Sequence, residues 1–234
     1  MSNLWIVTSL VTGYVLGGLP FGYVVARAYG VNIFKEGSGN PGATNVKRVL
    51  GEKFGPKGKR AGNLVFLLDV IKGAVAAGWP LLAGRALGLE GEGADRTPVL
   101  TLGLVGVIGA VLGHSFSPFT KFKGGKGVAT AAGGLVVLVP LSCLAGAIVW
   151  VLTFFTTRYV SLGSVLAAVA VPAVTWWRSD FLPLNLVVTL VGLFVIVRHH
   201  QNIRRLLAGT ESRFVKKSAP ATGGGTETPK NPTS

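Results

Sequence analysis

Long apolar runs alternate with short polar segments along nearly the whole chain. The runs fall at about Leu4–Ala26, Gly62–Gly84, Pro98–Gly113 and Val128–Thr157, then from beyond Ser164 to Trp177, and last at about Leu184–Val197. A membrane-crossing helix needs about 20 predominantly apolar residues. Val128–Thr157 is too long for one ordinary span, and Pro140 and Ser142 fall near its middle. The pattern predicts two short spans hinged near Pro140. The first run holds Gly13, Gly17, Gly18 and Gly22, small residues that let such helices pack closely. In the second run Asp69 and Lys72 sit at i, i+3 on one helical face. Ionisable groups in a span are costly and face protein or water. This pair either ties helices together or supports a nearby site.

The polar segments are a loop Arg27–Ala61, an acidic loop with Glu90, Glu92 and Asp95, and a second glycine-rich loop from His114 to Thr130. Arg158–Ser164, the tip Arg178-Ser179-Asp180 and the segment Arg198–Leu207 come next. From about Ser218 the chain is a Gly/Pro/Thr/Lys tail of the kind that stays disordered. The expected organisation is a single membrane-embedded domain over 1–214 and a disordered basic tail over 215–234.

Composition supports a polytopic membrane protein. Of the 234 residues only 14% are charged, and mean hydropathy is +0.54. Soluble domains carry about 25% charged residues. Met1–Ala26 lacks the basic start of a cleaved signal, and its apolar stretch is too long for one. The net charge of +14 is clustered in loops, so it points to cytoplasmic loops and anionic lipid rather than nucleic acid. The first loop alone carries eight Lys and Arg residues. With two short spans around Pro140, 19 of the 23 basic residues fall on one side. The expectation is therefore an all-α polytopic protein of seven transmembrane helices, two of them short at about 14 residues each. Its N-terminus lies outside and its C-terminus in the cytoplasm. Cys143 is the one cysteine, so no disulfide forms within the chain. His114, His199 and His200 have no partners at metal-ligand spacing, and no metal or cofactor is expected.

This topology gathers four polar clusters on the cytoplasmic face: Ser38–Arg48, His114–Lys126, Arg158–Ser164 and His199–Arg205. Glycines let backbone N–H groups approach an anion and cradle it. Ser38, Thr44 and Asn45 add neutral hydrogen bonds, and Arg48 adds a planar fork suited to phosphate. The second loop repeats this chemistry around Lys126 but is not a Walker A loop, since Gly-Lys is followed by neither Ser nor Thr. A pocket of cations and hydroxyls suits phosphate-bearing substrates at the lipid boundary. The bland alternative is a pair of glycine-rich turns whose lysines only set topology. The alternative from another class is a transporter of a small phosphate ester or anion. Against that, the polar residues sit on one face and do not line the membrane midplane.

Six segments carry a resemblance. They are Gly37–Val46 with Arg48, Leu68–Gly73, Gly113–Ser117, Phe122–Thr130, Arg158–Ser164 and Arg198–Leu206. In these, over nearly the whole chain to about Phe214, the protein resembles the bacterial acyl-phosphate:glycerol-3-phosphate acyltransferases. The resemblance implies transfer of a fatty acyl group from acyl phosphate to the sn-1 hydroxyl of glycerol 3-phosphate. The products would be 1-acyl-glycerol 3-phosphate (lysophosphatidic acid) and phosphate, in the first step of phospholipid synthesis. It implies a cofactor-free, monomeric enzyme of the bacterial inner membrane with its site facing the cytoplasm. The His-x4-Asp dyad of other glycerolipid acyltransferases is missing: five on from His114, His199 and His200 stand Phe119, Arg204 and Arg205. Carried over by residue, Ser38, Arg48, Lys126, His199 and Asn202 match the family pocket. Ser164 or Ser161 matches its third-loop serine, with Ser164 preferred. Asn40, Thr44, Asn45, Gly124 and Gly125 belong to the two loops that would hold phosphate. His200, Arg204 and Arg205 are expected to be structural or interfacial.

Overall fold

Inside a bilayer no water pairs with the backbone, so an apolar chain closes its hydrogen bonds within helices. The computed structural model describes residues 2–84, 86–89 and 95–214, and among these it has helices and no strand. In chain order they are α1 (Asn3–Gly18), α2 (Phe21–Ala28), α3 (Ala43–Ala83), α4 (Thr97–Ser115), α5 (Val128–Leu138), α6 (Pro140–Thr157), α7 (Val160–Arg178), α8 (Leu182–Arg198) and α9 (His200–Leu207). The acidic residues Glu90 and Glu92 and the tail 215–234 lie outside the described residues.

The first apolar run is broken in two, because Pro20 supplies no N–H to carry α1 onward. A larger correction concerns 27–61, expected to be a polar loop. It is largely helical. After a short 3₁₀ turn at Ile33–Lys35, α3 starts at Ala43 and doubles back at Gly55 (φ 59°, ψ −135°). That backbone is open to glycine and strained for other residues. The two limbs pack backbone to backbone: a Cβ on Gly58 would fall 1.9 Å from the Leu50 carbonyl oxygen, and one on Gly62 2.3 Å from the Lys47 Cα. The lysines face out, while Val46, Val49, Leu50, Ala61 and Val65 bury against Ala26, Val31 and Ile33. Tertiary burial of this apolar face outweighs the polar composition.

α4 is central and buries much of its length, whereas α6 buries only Ser142 and Gly146. Small residues allow its close approach to α1: a Cβ on Gly17 would lie 2.1 Å from the Ala110 carbonyl oxygen. α3 meets α5 in the same way through Gly73 and Gly133. The thirty-residue run breaks at Val139, as Pro140 requires, but into 11 and 18 residues rather than two equal halves. α6, α7 and α8 are successive antiparallel neighbours, and α9 bends from α8 by 56° at His199. By length and composition five segments can cross a membrane, and a sixth does if α8 and α9 count together; α5 falls short. Their outer faces carry exposed apolar side chains, among them Val7, Val11, Ile148, Leu152 and Phe155.

Candidate active site

The first glycine loop is closed by its own asparagines. Asn45, buried at the start of α3, accepts at Oδ1 from the Ser38 backbone N–H (3.0 Å) and from Arg48 Nη2 (2.7 Å). Its Nδ2 donates to the Glu36 carbonyl at 3.0 Å. Gly37 (φ 58°) makes room, since a Cβ there would lie 2.4 Å from Asn45 Oδ1. Asn40 Oδ1 accepts from the Gly42 N–H at 2.8 Å and tightens the turn into α3. The Ser38 side chain is left exposed.

The second loop hangs between α4 and α5. Lys121 and Phe122 take left-handed backbone, and Ser117 Oγ ties the turn to the Gly18 carbonyl at 2.6 Å. Arg198 Nη2 donates to the carbonyls of Gly125 (2.9 Å) and Gly124 (3.4 Å). Lys126 then reaches across to Asn202 Oδ1. Burial, opposed by Glu211 and reinforced by Arg205, Arg198 and Arg48, lowers the Lys126 ammonium to about 8.

The third part of the site is α9 together with Glu211, just beyond its end. His199 and Asn202 are buried one turn apart. His199 Nδ1 lies 2.7 Å from the Val195 carbonyl, which only accepts, so Nδ1 carries a proton and Nε2 of the neutral ring is an acceptor. Asn202 Nδ2 and Ser161 Oγ both donate to Glu211 Oε1 at 2.6 Å, and Arg205 Nε donates to Oε2 at 2.7 Å. Burial alone would raise the Glu211 carboxyl, but hydrogen bonds from Ser161, Asn202 and Arg205 and the Arg205 charge outweigh it and hold it below its usual range.

These three parts enclose an open cavity of about 400 Å³. Of the residues singled out by sequence, Ser38, Asn40, Gly124, Lys126 and Asn202 line it. Asn45, Arg48, Gly125, His199 and Ser161 stand behind or beside that lining. Thr44 is exposed on the first turn of α3 and is not part of the lining. Of the two serines, Ser161 joins the cluster; Ser164 is turned to the Val160 carbonyl (2.9 Å) and Trp150 Nε1 (3.3 Å). Glu211, Arg198 and Arg205 are the residues sequence reasoning missed. Glu211 had a signal, as the sole acid between residues 181 and 214 among four arginines. Arg205, expected at the interface, pairs with it.

A family model described as glycerol-3-phosphate acyltransferase matches residues 7–209. A protein of that name from Geobacter sulfurreducens is 43% identical over 215 residues, covering 92% of this chain and 99% of the relative. One from Aquifex aeolicus is 40% identical, covering 88% and 97%. Two crystal structures of PlsY (YgiH), described as an integral membrane glycerol 3-phosphate acyltransferase, are also similar. Its glycerol 3-phosphate form has TM-score 0.76 at 35% identity, over 90% of this chain and 96% of that one. Its lysophosphatidic acid form has TM-score 0.73 at 37% identity, over 90% and 95%.

Proposed function

The chain belongs to the glycerol-3-phosphate acyltransferase family, and we propose that it draws its acyl group from an acyl phosphate, with both substrate phosphates held between its glycine loops. It is an acyltransferase that acylates glycerol 3-phosphate to lysophosphatidic acid, a step of phospholipid synthesis. The observation that carries the donor assignment is the lining of the cavity. Lys126, Arg198, Arg205, Asn202, Ser38 and the backbone of Gly124 present donors from three parts of the chain to one space. Anionic phosphates are the ligands such a lining favours.

In this reading Lys126, with Asn202 beside it, holds the phosphate of glycerol 3-phosphate, and Ser38 with the loop amides holds that of the donor. Arg48 keeps the first loop in shape through Asn45 and adds positive charge. The sn-1 oxygen attacks the acyl carbonyl, the bond from that carbon to the phosphate oxygen breaks, and the hydroxyl proton passes to the leaving phosphate. The products are ester and hydrogen phosphate. The leaving group needs no strong acid, so catalysis is alignment and charge stabilisation. His199, buried with Nδ1 fixed on Val195, suits orientation of the glycerol hydroxyls through Nε2.

The accompanying topology has seven spans, an outside N-terminus and a site open to the cytoplasm of a bacterial inner membrane, in a monomer. The bond chain Lys126–Asn202–Glu211–Ser161 supports it, because the second loop and the α6–α7 junction must share a face. α5 and α6 together then go in and return. At 1.5 Å per residue the 11 residues of α5 reach about 16 Å, so this limb needs shielding by protein or a thinned bilayer.

The test is acyl transfer by purified protein with palmitoyl phosphate or palmitoyl-CoA as donor and glycerol 3-phosphate as acceptor. Ser38→Ala, Lys126→Ala and His199→Ala are run alongside. Lysophosphatidic acid from palmitoyl phosphate alone, with the variants losing on the order of 100-fold in kcat/KM, is expected. Transfer from palmitoyl-CoA, or variants as active as the parent, overturns the donor or the site.

A further inference from the structure

Asp69, Lys72 and His114 lie next to the cavity rather than in it, and the transfer as described does not use them. The Lys72 ammonium forms an ion pair with Asp69 Oδ1 at 2.6 Å and donates hydrogen bonds to the Leu19 carbonyl at 3.1 Å and to His114 Nδ1 at 3.0 Å. An ammonium only donates, so Nδ1 accepts and the neutral ring carries its proton on Nε2. Asp69 Oδ1 is 3.6 Å from Nδ1, too far for a hydrogen bond, so Lys72 sets the tautomer. Thr130 Oγ1, at 3.2 Å from Nδ1, flanks the ring on α5.

The second glycine loop lies on the other edge of this ring. A Cβ on Gly125 would fall 2.1 Å from His114 Nε2, and one on Gly124 would fall 2.1 Å from the His114 carbonyl oxygen. The Gly125 N–H donates to that carbonyl at 3.1 Å. From the far side Arg198 holds the Gly124 and Gly125 carbonyls. The two glycines are thus clasped between His114 and Arg198, and the next residue is Lys126. A buried ion pair is a weak source of stability, since replacing both partners by apolar groups of similar volume is often neutral. Its geometry here does something else: it fixes a ring that fixes a loop.

We propose that Asp69, Lys72 and His114 are positioning residues for the acyl transfer. The ion pair orients His114, the ring sets the height of Gly124–Gly125, and the loop sets the Lys126 ammonium against the substrate phosphate. This rests on the reading of Lys126 as a phosphate ligand. The experiment compares Asp69→Asn/Lys72→Met, which removes both charges at nearly constant volume, with Lys126→Ala and with the triple variant. KM for glycerol 3-phosphate, kcat and thermal unfolding are measured for each. The double variant is expected to lose on the order of 10- to 100-fold in kcat/KM, mostly in KM, and to unfold below the parent temperature, because Lys72→Met also takes the donor from the Leu19 carbonyl and His114 Nδ1. In that background Lys126→Ala should cost little more, because the two act through one loop. A folded double variant with parental KM, or losses that simply multiply, overturns the inference. If the double variant does not fold, Gly125→Ala answers instead. It keeps every charge and pushes on Nε2, so the same rise in KM is expected and an unchanged KM overturns the proposal. Full activity in Lys126→Ala alone sinks the phosphate role itself, and this inference with it. Loss in Lys126→Ala with none in the other variants sinks only the positioning role.

Discussion

Lys126 is the residue on which charge and pH meet. Burial, opposed by Glu211 and reinforced by three arginines, lowers its ammonium to about 8, so it is charged below that pH and neutral above it. A bound phosphate favours the charged form. The expected outcome is that KM for glycerol 3-phosphate is flat from about pH 7 and rises as pH passes about 8. The phosphate's own second ionisation is complete by then, since it lies near 6. Lys126→Arg removes the upper rise, and a profile unchanged in that variant assigns the ionisation elsewhere. Glu211 belongs to the same scale. Three donors converge on its carboxylate, so Glu211→Ala leaves Ser161, Asn202 and Arg205 without their acceptor. Ser161 and Asn202 are buried, and each orphan there costs about 1–3 kcal/mol, whereas Arg205 is exposed enough to turn to water; a clear drop in unfolding temperature is expected. Glu211→Gln, which keeps one carbonyl oxygen, should fall between parent and alanine. Donor chemistry was legible in the two glycine-rich loops, where Ser38, Arg48 and Lys126 stand out as phosphate-suited donors, whereas His199 and Asn202 were singled out by the family resemblance. What these residues would bond to was not legible, because Lys126 meets Asn202 and Ser161 meets Glu211 across 76 and 50 positions.

At the level of elements, glycine marks where helices touch. A Cβ on Gly133 would fall 1.9 Å from the Val70 carbonyl oxygen, whereas one on Gly78 would meet only Val137 Cγ1, at 3.7 Å. Gly133→Ala must therefore separate α3 from α5 and should cost roughly 1–3 kcal/mol, as overpacking does. Gly78→Ala is expected to be neutral or to stabilise by up to about 1 kcal/mol through helix propensity. Unfolding of both variants in the same detergent checks the pair, and equal destabilisation contradicts the packing account. The contrast also shows what sequence carried at this scale. Pro140 announced the α5–α6 break because proline cannot continue a helix from within. The reversal of α3 at Gly55 was hidden, because Gly-Pro among lysines has the composition of a loop. Only the burial of Val46, Val49 and Leu50 against Ile33 and Val65, separated along the chain, makes that segment helical.

For the whole molecule, the site exists only if four segments reach one face of the membrane. Positive charge pointed to that arrangement, and hydrogen bonds from Lys126 to Asn202, from Asn202 to Glu211 and from Ser161 to Glu211 require it of the second loop, the start of α7 and α9. An even number of crossings must therefore separate Lys126 from Ser161, despite an 11-residue α5 that cannot reach across alone. The proposed topology puts Ser2 on the opposite face with the α7–α8 turn, where Asn185 Nδ2 closes on the Ser179 carbonyl at 2.7 Å. Single cysteines in a Cys143→Ala background test this directly. Ser2→Cys and Ser179→Cys should react with a membrane-impermeant maleimide in intact cells. Ser212→Cys, exposed beside Glu211, should react only after the membrane is opened. Labelling of Ser212→Cys from outside would invert the molecule. Labelling of Ser2→Cys and Ser212→Cys from the same side would require an even number of crossings in total, and labelling of both from outside would leave the cations of the cavity facing away from the compartment where phosphorylated substrates are made.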